Sequence, residues 1–156
     1  MNHERVSPAL GKISSGLYIV TTVHEGVRHG MLASFIEQAA FEPPMISMAT
    51  GKERALSEVI DRQPLFGVNI LGKHNHELLR PFVKATDSDP FEGHALVDNE
   101  WGLPQLAEAM AFLACRVVSK TEAGDHWLYL AEVLDGALQH DHEQPMIRVR
   151  RNGFDY

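Results

Sequence analysis

The sequence predicts a mainly β protein, an antiparallel barrel with a few flanking helices, on three observations. Six segments are rich in β-branched and aromatic residues, only short stretches carry helical periodicity, and the strand candidates are joined mostly by short turns. A barrel suits such a chain because closure removes exposed strand edges. The segment GLYIVTTVHEG (16–26) is the first strand, and the turn EGVRHG pairs it with a segment that starts at Gly30. Gly30 to Ile36 is read as one strand, which alternation divides into a face with Met31, Ala33 and Phe35 and a face with Leu32, Ser34 and Ile36. MISMAT (45–50), LFGVNIL (65–71), AFLACRVVSKTEAG (111–124) and HWLYLAEVLDGAL (126–138) complete the strand set.

Helices are expected in three places. Residues 4–15 suit a short one with Ser7 as N-cap and Pro8 in the first turn. RALSEVIDRQP places Leu56, Val59 and Ile60 at helical spacing before Pro64 blocks continuation, and HNHELLRPFVK repeats the pattern with Pro81 limiting it. Residues 84–105 are polar and turn-rich with two anchors, Phe91 and Trp101, which is the composition of a functional or partner-binding loop.

The totals narrow the function. With 156 residues, 44% of them hydrophobic, the chain fits one domain, 1–156. A net charge of -7, from 21 acidic and 14 basic residues, argues against binding nucleic acid, whose phosphates demand a basic surface. No stretch has the roughly 18 uninterrupted apolar residues of a membrane span and no apolar signal core opens the chain, so a soluble, unprocessed protein is expected. The single cysteine, Cys115, lies in an apolar run and reads as a small buried hydrophobe in a reducing cytoplasm.

Three constellations carry chemistry. In GMLASFIEQAAFEPPMIS (30–47), Ser34 interrupts an apolar row, while Ala33, Ala39 and Ala40 would let a flat ligand approach the backbone and Glu42-Pro43-Pro44 would stiffen the exit. A tight strand corner with one internally bonded serine explains the same residues. TGKERA (50–55) sets Gly51, Lys52 and Arg54 ahead of a helix, a suitable anion seat and equally ordinary surface chemistry. In EAGDHW, Gly124 allows a tight turn that delivers Asp125 and His126 to a strand start, where the carboxylate can fix the imidazole tautomer. The pairs His74/His76 and His140/His142 have no third ligand at zinc-like spacing, so no metal is expected. A serine hydrolase lacks its G-x-S-x-G elbow, and Cys115 lacks the exposed, electropositive setting of a nucleophile.

Together these segments resemble the flavin reductase-like family of FMN-binding split barrels. The likeness runs from about Leu10 to Gly153 and rests on LGKISSGLYIVTT, GMLASFIEQAAFEPPMISMATGKERA, LSEVIDRQPLFGVNIL, HELLRPF, AFLACRVVSKTEAGDHWLYLAEV and RRNGFDY. The resemblance implies a Greek-key split barrel, a homodimer with FMN near the subunit interface (FAD as the alternative flavin), and NADH or NADPH as co-substrate. Carried onto this chain, Met31, Leu32, Ala33, Ser34 and Phe35 line the flavin, Gln38, Ala39 and Ala40 flank it, and Thr50, Gly51, Lys52, Arg54 and Ala55 form the phosphate loop. His126 becomes the residue beside flavin or nicotinamide. The pattern is nearer to flavodiiron-type modules, which implies an electron-accepting partner protein. A non-enzymatic FMN electron carrier and a haem-binding relative are the rival expectations.

Overall fold

A computed structural model describes residues 1–84 and 88–156. The chain opens with α1 (His3–Leu10), whose N-cap is Asn2, accepting from the Arg5 amide at 3.2 Å, and not Ser7. Pro8 sits inside this helix rather than in its first turn. The missing amide is tolerated because α1 buries no residue and ends two positions later at Leu10.

After the short β1 (Ser15–Gly16) come β2 (Tyr18–His24) and β3 (Val27–Ala33), joined by Glu25-Gly26 alone. Both turn residues have positive φ, 50° and 78°, the backbone of a tight hairpin whose twist matches its strands. β4 (Ile36–Phe41) and β5 (Pro44–Gly51) form a second hairpin with Glu42-Pro43 at its tip. Then follow α2 (Ala55–Arg62), β6 (Leu65–Ile70), and α3 (His76–Leu79), which passes into a single 3-10 turn at Arg80–Phe82 as Pro81 requires. β7 (Leu96–Val97) pairs with β8 (Gln105–Leu106), and the long hairpin β9 (Ala111–Ala123) to β10 (His126–Leu138) turns at Gly124, φ 65°. Finally β11 (Ile147–Arg148) returns to pair with β1.

Seven strands make one antiparallel sheet in the order β3-β2-β6-β9-β10-β5-β4. Val20, Met31, Ile36, Met48, Phe66, Cys115 and Tyr129, one from each of these strands, meet in a single apolar cluster, so the sheet curls around a common interior. Leu56 and Ile60 of α2 cap that interior. Cys115 lies wholly inside it, and burial pushes its thiol up to about 12. A second apolar cluster, with Leu71, Phe82, Phe91 and Leu106, covers the outer face of β2 and β6.

Two expectations need correction. The run from Gly30 to Ile36 is not one strand: β3 stops at Ala33 and β4 starts at Ile36, with Ser34-Phe35 between them. Ile36 therefore shares the interior with Met31 and Ala33, whereas strict alternation would have sent it to the opposite face. The barrel also does not close by hydrogen bonds, because β3 and β4 are the two ends of the sheet. They are joined only through Ser34-Phe35, and that junction is the seam of the split.

The segment 84–105 is less irregular than its composition implies, since it contributes β7, buries Phe91 against Phe82 (ring centroids 5.2 Å apart), and ties Trp101 Nε1 to Asp135 at 3.3 Å. Residues 85–87 of that stretch lie outside the described residues. No helix among the described residues is long and apolar enough to cross a membrane.

Candidate functional site

A cavity of ≈ 210 Å³ opens at the seam. Met31, Leu32, Ala33 and Ser34 line one side, and Ala49, Thr50, Gly51 and Arg54 another. Two of the sequence constellations thus meet because β3 ends where β5 ends. The third comes next to the cavity without lining it, as does Phe35: β10 pairs with β5 so that His126 stands opposite Gly51 and Trp127 opposite Thr50.

Ser34 is 6% exposed, yet its hydroxyl makes no hydrogen bond among the described residues, and it is not one of the sealed polar atoms, all of which have partners. A buried hydroxyl without a protein partner is costly unless something outside the chain satisfies it. The internally bonded strand corner is therefore not what the structure contains. Thr50 is different, for its Oγ1 is bonded to Ser57 Oγ at 2.5 Å, which fastens the end of β5 to α2.

Arg54 is the N-cap of α2 and offers no side-chain cap; its carbonyl takes the Ser57 amide at 3.0 Å, while the Ala55 and Leu56 amides have no acceptor among the described residues. Arg54 and Arg148 both line the cavity and neither forms a salt bridge among the described residues. Arg54 also donates to the Val83 carbonyl at 3.5 Å, but two guanidinium groups without a carboxylate partner at the helix start suit an anion in an otherwise acidic protein.

His126 is held at both nitrogens. Nδ1 lies 2.7 Å from Asp125 Oδ1, and Nε2 is hydrogen-bonded to the Tyr156 hydroxyl. The same hydrogen bond holds the Asp125 carboxyl below its usual range. The Asp125 carboxylate accepts from Nδ1, and burial raises the Tyr156 phenol, which keeps its O–H as a donor for Nε2. Phe35 packs against this pair, its ring centroid 5.8 Å from His126 and 5.4 Å from Tyr156, with the Arg150 guanidinium 5.0 Å from its own centroid.

Other expected residues lie elsewhere. Lys52 is turned to Glu122, 3.3 Å away, and to the Trp127 ring at 4.9 Å, and does not line the cavity. Gln38, Ala39 and Ala40 sit on the edge strand β4, with Gln38 Nε2 donating to the Ala40 carbonyl at 3.3 Å. Ala55 is the first residue of α2. Sequence reading missed Leu17, Ala49, Val83, Arg148 and Tyr156 as cavity residues. The segment RRNGFDY signalled that the tail mattered, but only the β1–β11 pairing brings Arg148 alongside β3. Among the described residues no group of three His, Cys, Asp or Glu side chains gathers as a metal site.

A sequence profile described as "Flavin reductase like domain" matches residues 10–154. The chain belongs to this family. Diflavin flavoprotein A 1 of Synechocystis sp. is 34% identical over 151 residues, which are 95% of this chain and 26% of that protein. The chain thus spans about a quarter of the length of the curated relatives it matches. Among solved structures, the Streptomyces globisporus C-1027 NADH:FAD oxidoreductase SgcE6 superposes with a TM-score of 0.84 at 25% identity, covering 91% of this chain and 86% of that one. The styrene monooxygenase flavin reductase of Pseudomonas putida S12 gives 0.80 at 26%, with 96% and 93% covered. This flavin reductase-like domain is mainly β and is a flavin-related oxidoreductase domain by membership.

Proposed function

We propose that this domain is an NAD(P)H-dependent flavin reductase that holds FMN at the seam and passes electrons to an accepting partner protein. The observation that carries the reading is the Ser34 hydroxyl, without a hydrogen-bond partner among the described residues, in the same cavity as Arg54 and Arg148, which form no salt bridge among those residues. The residues fit a flavin mononucleotide, which needs a flat slot, sparse hydrogen bonds and an anion seat. Ala33, Ala49 and Gly51 leave room for a ring against the backbone, Ser34 supplies a hydrogen bond, and Arg54, Arg148 and the first amides of α2 hold the phosphate. Bound flavin supplies the capacity to accept hydride from a nicotinamide.

The protein's share is orientation. His126, oriented by the Asp125 contact at Nδ1, directs Nε2 toward the incoming ring, and Phe35 offers a face beside it. No proton has to leave the chain for this role, so His126 acts by positioning. FAD is the alternative flavin, in keeping with the name of the SgcE6 neighbour. A homodimer belongs to the same reading: β4 is a sheet edge and Phe41 at its end is 87% exposed, features a second copy would cover. Such a dimer also gives Gln38, Ala39 and Ala40 a place at the interface. The lone buried Cys115 suits a cytoplasmic setting.

The deciding experiment adds FMN, then NADH or NADPH, to the purified protein without oxygen while flavin absorbance is followed. Catalytic bleaching supports the reductase. Yellow protein that does not bleach supports a non-enzymatic FMN carrier instead, and failure to take up any flavin removes both.

A further inference from the structure

Tyr156 forms part of the wall of the seam cavity, and its contacts imitate those of a ligand. Its hydroxyl takes His126 Nε2, the only imidazole nitrogen that Asp125 leaves available. Its ring packs 5.4 Å from Phe35, and the Arg54 guanidinium stands 5.7 Å from its centroid. Tyr156 is also 49% exposed, so little packing opposes its removal. The tail before it is anchored separately, by Phe154 and Asp155 amides donating to Asn152 Oδ1 at 2.9 and 3.0 Å and by the Phe154 ring 4.9 Å from His3.

We propose that Tyr156 is a gate residue that competes with the nicotinamide ring for His126 Nε2 and for the aromatic face of Phe35. A nicotinamide is a flat ring bearing a carboxamide, and its N–H can replace the phenol O–H on Nε2 while its ring replaces the tyrosine ring. Entry of the co-substrate therefore requires the side chain to swing out, and the population of the closed form sets the apparent affinity. A gate closed about nine-tenths of the time raises the apparent Kd about tenfold.

This inference rests on the proposed reductase activity. It is tested by steady-state kinetics of wild type, Tyr156→Phe and Tyr156→Ala with FMN and each nicotinamide, alongside FMN titrations. The expected result for Tyr156→Ala is a KM for nicotinamide lowered about tenfold, with kcat moving much less and FMN affinity kept within about twofold. Tyr156→Phe, which keeps the ring and loses the hydrogen bond, is expected to lower KM about threefold. An unchanged or raised KM in both variants, with wild type active, overturns the gate alone. Oxidation of neither nicotinamide by any of the three proteins overturns the gate and the reductase reading together.

Discussion

Thr21 and Asn69 on one part of the sheet, and Ser34 and Thr50 at the seam, are buried to similar degrees, from 0% to 6% exposed. Their hydrogen bonding differs. Asn69 donates to the Ile19 and Pro104 carbonyls, both at 3.2 Å, and accepts from the Leu106 amide at 2.7 Å, while Thr21 Oγ1 donates to Pro104 at 2.7 Å. These bonds hold the segment around β8 against the barrel and tie β6 to β2. At the seam, Thr50 is satisfied by Ser57, but the Ser34 hydroxyl has no hydrogen-bond partner among the described residues, and Arg54 and Arg148 line the cavity with no carboxylate paired to them among those residues. A buried polar residue thus announces a ligand only when its own fold leaves it unsatisfied.

Substitutions can break or sharpen this contrast. The largest effect is expected at Asn69: the Ala variant strands the Leu106 amide and should lower unfolding free energy by about 3 kcal/mol in urea titrations, with FMN affinity of the folded fraction retained. Arg54→Ala should do the reverse, weakening FMN by about 2 kcal/mol in a fluorescence titration through loss of a charge-assisted contact, with little change in stability. Ser34→Ala is the smallest and sharpest case. It should cost about 1 kcal/mol of flavin affinity and leave the urea midpoint where it was, because no protein partner is orphaned. A large loss of stability in Ser34→Ala, or an unchanged flavin affinity, would put Ser34 with Asn69 as a structural residue and dissolve the distinction.

Much of the scaffold was legible along the chain. Glu25-Gly26 and Gly124 carry the turn chemistry of their hairpins, and Leu56 with Ile60 carry the face by which α2 caps the interior. β4 was not legible, since Glu37, Gln38 and Ala39 are exposed and an edge strand need not alternate cleanly. The break at Ser34-Phe35 was hidden for another reason: GMLASFI is continuously small or apolar and contains no proline or mid-run glycine to mark the point where the chain changes edges. Lys52 looked like the cation of the anion seat, but the proximity of Glu122 and Trp127 turned it away.

Local chemistry in the sequence determined the turns, the hairpins, the capping helix and the supply of small residues, hydroxyls and cations near the site. These depend on neighbours a few positions apart, within reach of backbone preference and side-chain periodicity. Only the tertiary structure decided which polar groups would be satisfied, because their partners come from far along the chain: Pro104 and Leu106 for Asn69, and Arg148 and Tyr156 for the seam. Curling of the sheet, driven by burial of one interior shared by seven strands, brings those distant residues together at the ends of β3 and β5, where the site lies.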